Sequence, residues 1–258
     1  MTPPSDEQIK AKWQEIASLA EKVTDRSGTQ GGFSTSPGSP FAGDDASSAP
    51  YQVSHAAKVG ITTAADHLHG LCALVLKSGF LHWASPASLA RGALECAAAA
   101  TWIASPTTRN ERITRALQWN IKDAQDNNSA ATTAGLPVPT ALQDRKAKIE
   151  AMAATRSLDF KKIRVGYTST EAVKAAEEYL KPPLGALLPW QLASGFAHGR
   201  RWAVVAFAEI IEKDTAAEPG VVNLKMVNDN VRVLYLALAA ATIVQGAVTL
   251  YDQRATAP

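Results

Sequence analysis

Cysteine is nearly absent from this 258-residue chain, Cys72 and Cys96 being the only two. Both fall inside apolar helical patterns, which argues against a disulfide framework, a disulfide-linked partner or a cysteine-rich zinc site. A surplus of one charge is lacking as well. The 26 Lys and Arg stand against 24 Asp and Glu, a formal charge of +2, so no dominant field marks a polyanion-coating protein. No P-loop, Rossmann glycine pattern or zinc-finger spacing occurs, and no cofactor is expected. Also missing are a Gly-x-Ser-x-Gly elbow and an internal repeat of solenoid length. The polar N-terminal residues lack the basic and apolar segments of a secretory signal, so a reducing cytoplasm is the expected compartment.

Alanine is what the chain has instead. Its 48 alanines, in a sequence 46% hydrophobic, favour helices packed at short interaxial distance around a sizeable core. The expected fold class is all-α, a helical bundle with one short β element near 221–227. Val233 to Tyr251 carries no formal charge and is long enough to cross a bilayer. Its five alanines and its Thr242, Gln245, Gly246 and Thr249 make transfer into lipid marginal. The expectation is a central helix buried on all sides, and no membrane partner.

Three regions are expected. Residues 1–23 form an N-terminal helix, because Ser5 with Gln8 makes a capping box and Ile9, Trp13, Ile16, Ala20 and Val23 recur at helical spacing. Residues 24–50 are rich in Gly, Ser, Pro, Thr and Asp and read as a flexible linker. Residues 51–258 form the bundle. Within it, Ser85-Pro86 opens a helix to about Ala104. Thr108 with Glu111, Thr140 with Gln143 and Thr168 with Glu171 cap three more. Trp190 to Ile211 reads as one further helix, and Asn228 to Gln253 as the last.

Few polar residues interrupt the apolar helices, and those few are the candidate site. Arg91 and Glu95 are the only charges between Ser85 and Ala104 and lie four apart on one face. Arg before Glu is the weaker order for an exposed helix. A buried pair costs desolvation, so the pair is either a clasp fixing helix register or part of a site. Ser194 and His198 are likewise four apart, beside Gly195 and Gly199, which allow a close approach. The bland alternative there is a core histidine satisfied by a carbonyl or by Glu95.

Asp66-His67-Leu68-His69 invites a metal reading, but His67 and His69 point about 200° apart on a helix. Asp66 and His69 share a face with lysines and read as a solvated stripe, so no metal site is expected. Two basic clusters, Arg109, Arg112, Arg115 and Lys122, and the stretch 144–164 with seven basic against three acidic residues, allow phosphate contact.

Four segments carry a family resemblance: Leu89-Ala-Arg91-Gly-Ala-Leu-Glu95, Trp102-Ile-Ala-Ser-Pro106, Glu111-Arg112-Ile-Thr-Arg115-Ala-Leu and Ser194-Gly-Phe-Ala-His198-Gly199. They resemble a group of uncharacterised all-helical proteins found largely in actinobacteria, themselves loosely similar to HEPN and abortive-infection domains. The HEPN ribonucleases place an arginine four to six residues before a histidine. Here Arg200 and Arg201 follow His198, and no arginine precedes it at that distance. What the resemblance implies is a helical bundle, homodimeric, with an inward polar cluster matched by Arg91, Glu95, Ser194 and His198. In a catalytic version His198 is the general acid or base, Arg91 holds an anion and Glu95 orients either of them. Arg112 and Arg115 would rim the site as anion or RNA contacts. The expected function is binding or processing of RNA in a defence or stress setting. The alternatives are a non-enzymatic interaction or scaffold module and a metal-dependent helical enzyme.

Overall fold

The computed structural model describes residues 4–136, 140–215 and 221–257, with residues 140–143 and 215 described by their backbone alone. Among the described residues the chain is an all-α bundle of eleven helices with one two-stranded antiparallel sheet. The expected capping box of Thr140 with Gln143 lies outside the described side chains.

The bundle is organised around α4 (Ser85–Ala104), which packs against α3 (Val53–Lys77), α11 (Asn230–Ala255), α8 (Ser169–Leu180) and α9 (Leu187–Ala197). Alanine makes this closeness possible. Ala90, Ala93, Ala97, Ala98 and Ala100 of α4 are all buried, and a Cβ on Gly60 of α3 would sit 2.7 Å from the Cys96 carbonyl oxygen. Burying alanine orders little side chain, so close backbones are gained at small entropic cost.

α1 (Asp6–Gly28) starts at the expected capping box, with both the Ser5 and Gln8 halves formed, and buries the five residues its spacing picked out. It lies on α3 and α11. Trp13 Nε1 donates to Asn230 Oδ1 at 3.0 Å near the start of both helices. Arg26 reaches Asp252 at 2.6 Å near the end of both, so α1 and α11 run parallel. α11 is buried on its Val233, Leu236, Ala240, Ile243, Val244 and Tyr251 positions by its neighbours. By length and composition alone α3 and α11 are each apolar enough to span a membrane.

The flexible linker expected at 24–50 is corrected. Residues up to Gly28 continue α1, and α2 (Pro40–Ser48) follows, capped by Ser39 with proline at its first position. Composition misled because three of the polar residues, Ser39, Asp44 and Ser48, face inward beside Phe33 and Phe41. Phe33 and Phe41 pack edge-on to Tyr251 at 5.0 and 5.2 Å between ring centres. Asp44 is fully buried, and Asp45 accepts hydrogen bonds from the Ser54 amide and hydroxyl in the first turn of α3.

α5 (Arg109–Thr133) is capped by Thr108, α6 (Thr140–Thr155) and α7 (Phe160–Ile163) follow, and α8 is capped by Thr168. Helix α4 starts one residue earlier than expected, with Ala84 at the cap position and no side-chain cap bond.

The expected helix from Trp190 to Ile211 is three elements. α9 stops at His198, where Gly199 takes φ +63° and Arg200 N donates to Gly195 O at 2.8 Å while Gly199 N donates to Phe196 O at 3.0 Å. That pair of bonds is the Schellman stop, which needs a residue at ease with positive φ. α10 (Arg201–Phe207) turns back, and β1 (Glu209–Thr215) pairs antiparallel with β2 (Val222–Val227). β1 is therefore the partner that the strand expected near 221–227 required.

Candidate functional site

α4 and α9 bring the expected polar residues together. Arg91 Nη2 donates to Glu95 Oε1 at 2.9 Å, and Arg91 Nη1 lies 3.3 Å from His198 Nε2. A guanidinium only donates, so a hydrogen bond in this contact has the imidazole nitrogen as its acceptor. Glu95 Oε1 also accepts from Trp190 Nε1 at 2.8 Å. One carboxylate oxygen thus orients both an arginine of its own helix and an indole of the facing one. Arg91 remains 31% exposed, and His198 is exposed.

This network borders a cleft of about 430 Å³ between α9 and α10, lined by Trp190, Gln191, Ser194, Gly195, His198, Arg200 and Trp202. Trp190, Ser194 and His198 form one line at four-residue spacing on α9. The opposite wall exists because of Gly195, where a Cβ would meet Ala203 Cβ at 2.6 Å and the Trp202 ring at 2.9 Å. Trp202 is 55% exposed and Arg200 is exposed. Among the described residues the lining holds no carboxylate. It can offer an anion the guanidinium of Arg200, with that of Arg91 beside it, and offer an aromatic ring the indole of Trp202.

Ser194 lines the cleft, but its hydroxyl makes no hydrogen bond with His198 among the described residues. A nucleophile paired with its base is therefore not assembled here. The nearest thiol, Cys96, is pushed up to about 11, first by burial and then by the Glu95 charge, which leaves it a thiol near neutral pH.

Arg112 and Arg115 are corrected as rim contacts. Arg112 is 4% exposed and grips the buried Asp44 through Nε and Nη2 at 2.6 and 2.9 Å. Its Nη1 donates to the Pro106 and Thr107 carbonyls at 2.9 Å each. Arg115 donates to the Trp102 carbonyl at 2.6 Å and to Glu111 at 3.2 Å, with its guanidinium over the Trp102 ring. Burial lowers its pKa from the usual arginine value. Arg254 adds donors to the carbonyls of Ala104, Ser105 and Pro106. Arg115 and Arg254 thus close the negative C-terminal end of α4, as the helix dipole and the unpaired last carbonyls favour, while Arg112 binds the two carbonyls just beyond it. Helical spacing could not reveal that α2 would cover Arg112.

The second basic stretch is partly engaged too. Arg145 bridges to Asp123 at 2.6 Å and Arg156 donates to Asn110 at 2.8 Å. Arg145 also lines a separate cleft of about 380 Å³ with Lys148, Asp144, Tyr51, Pro50 and Asn120. No group of three or more His, Cys, Asp or Glu side chains converges to hold a metal ion among the described residues. The His67 ring lies against Gly92 of α4, while Asp66 and His69 are exposed.

Spacing alone found Arg91, Glu95, Ser194 and His198. It missed the roles of Trp190, Arg200 and Trp202. Trp190 continues the Ser194 and His198 line by one turn and was legible. Arg200 and Trp202 reach the cleft only because the helix breaks at Gly199. No family model matches this chain, and neither a curated protein nor a solved structure matches it.

Proposed function

We propose that the cleft between α9 and α10 binds single-stranded RNA. A phosphate is held by Arg200 and Arg91 and a base stacks on Trp202. The observation that carries this reading is an exposed indole and the guanidinium-bearing Arg200 lining one cleft with no carboxylate among its described lining residues, the Arg91–Glu95 pair being joined to that cleft through His198. Stacking on an aromatic platform with a cationic track is how single strands are bound without base-edge readout. The departure from the HEPN arginine–histidine spacing separates binding from cleavage. If cleavage accompanies binding, His198 is the group that moves a proton, Arg91 steadies the anion, and Glu95 is a positioning residue. The defence or stress setting travels with the resemblance.

The test is fluorescence anisotropy with a labelled single-stranded RNA over a salt series. Trp202→Ala is expected to weaken binding about 10- to 100-fold, as loss of a stacking platform does, and Arg200→Ala to lessen the salt dependence. Affinity unchanged in both variants sinks the proposal. Incubation of labelled RNA with wild type and His198→Ala, followed by gel analysis, decides the cleavage question separately. Products that persist in the variant exclude His198 as the proton carrier.

One observation favours a second, non-enzymatic reading. The Trp190 to Glu95 bond ties α9 to α4, as a register clasp would. Under that reading Glu95→Ala lowers the melting temperature and no RNA is bound.

A further inference from the structure

The β1–β2 ribbon stands apart from the helices in having little to bury. Among the described residues it has only two strands, and no backbone hydrogen bond reaches the outer side of either. Val222 and Val227 of β2, Val221 just before it and Ile210 and Ile211 on β1 are all exposed. A two-stranded ribbon is marginal in water on its own, and a bare edge with apolar side chains is a template for another strand.

The sequence of β2 says which strand. In an antiparallel ladder, opposed residues both turn their amide groups toward the partner or both away. A two-fold pairing of one strand with its own copy therefore has an axis through a residue. Centred on Leu224, the pairing sets Leu224 opposite Leu224 of the partner subunit. Asn223 then meets Lys225, Val222 meets Met226 and Val221 meets Val227, each twice. The segment Val-Val-Asn-Leu-Lys-Met-Val is in this sense symmetric about its middle. Apolar residues face apolar ones and like charges never meet.

β1 fails the same examination. Centring on Glu212, Lys213 or Asp214 opposes like charges. Centring on Ile211 sets Ile210 against Glu212, across the irregularity in the β1 ladder between Ile210 and Glu212. Such a bulge blunts an edge.

We infer that the outer edge of β2 is a self-association surface, where two copies of this chain join in a Leu224-centred register to make a four-stranded sheet of order β1-β2-β2-β1. The partner is a second copy and not a foreign peptide, because the edge complements itself.

Sedimentation velocity across micromolar to millimolar protein tests the association, and cysteine cross-linking tests the register. Wild type is expected to dimerise with concentration. Val221→Lys is expected to be monomeric with unchanged circular dichroism, and adding Val227→Glu to it should restore a dimer that salt weakens. Under oxidation Leu224→Cys should give a covalent dimer, whereas Asn223→Cys alone and Lys225→Cys alone should not. Cys72 and Cys96 do not interfere, since burial pushes them up to about 12 and about 11. A wild type that stays monomeric throughout overturns the inference. So does a dimer indifferent to Val221→Lys, or cross-linking by Asn223→Cys in preference to Leu224→Cys.

Discussion

The two parts of α4 carry arginine in opposite ways. At its C-terminal end Arg112, Arg115 and Arg254 donate to carbonyls, and Arg112 is held by a fully buried aspartate. Nearer its start Arg91 shares its guanidinium between Glu95 and an exposed imidazole at the border of a cleft. One guanidinium chemistry thus fixes the chain fold at one end and stands partly exposed beside a cleft at the other. The difference is burial: Arg91 is 31% exposed and Arg112 is 4% exposed. A count of basic residues says nothing about it.

Four changes test that contrast, and the largest effect belongs at the closed end. Asp44→Ala leaves Arg112 buried without its counter-charge, a loss of about 3–5 kcal/mol in urea unfolding by the usual behaviour of broken buried pairs. Replacing both, as Asp44→Leu with Arg112→Met, should recover much of that, because a well-packed apolar pair avoids the desolvation. A single change costing under half a kcal/mol would mean that the pair is hydrated.

Gly60→Ala comes next. Alanine improves helix propensity, yet its methyl would press on the Cys96 carbonyl at 2.7 Å, which is backbone and cannot swing away. The net expectation is a loss of about 1–3 kcal/mol, typical of overpacking, read from thermal denaturation. A gain in stability would show α3 and α4 able to separate freely.

At the open end Trp190→Phe removes the indole donor to Glu95 and leaves a smaller aromatic ring in its place. About 1 kcal/mol of stability should go, several-fold less than for Asp44→Ala, while affinity for single-stranded RNA falls more than stability does. Equal losses in both measurements would place Trp190 among purely structural groups.

The smallest effect is pH-dependent. Glu177 Oε2 accepts from the amides of Ala186 at 2.5 Å and Leu187 at 2.8 Å, at the start of α9. These bonds hold its carboxyl below the ordinary value of 4.5. A group lowered in the folded state contributes stability above its unfolded pKa and loses that contribution as pH falls through the folded one. Wild type should therefore lose stability below about pH 4.5 relative to Glu177→Gln, which lacks that titration. Parallel stability profiles in acid would contradict the capping role.

Local signals were readable in advance. The Ser5, Thr108 and Thr168 caps lie where the spacing of hydroxyl and acidic or amide residues placed them, and the α1 stripe is the buried face. The Arg91, Glu95 and His198 meeting followed from polar residues alone on apolar helices. The errors arose where contacts are distant in sequence. The polar composition of 24–50 looked unfolded because nothing local says that Asp44 meets Arg112, 68 positions away. Gly199 read as a place for close approach and is instead a helix stop. Ile210 and Ile211 extended a helical pattern that the strand pairing overrides, as short apolar runs suit either element.

The parallel placement of α1 and α11 has a consequence for biosynthesis. Trp13 waits 217 positions for Asn230, so at about 5–20 residues per second of translation the first helix spends roughly 10–40 s without its final neighbour. During that interval the apolar sides of α1, α3 and α4 are open to chaperones. α11 can dock only once it has left the ribosome, so a pause anywhere before the end of α11 prolongs the exposure.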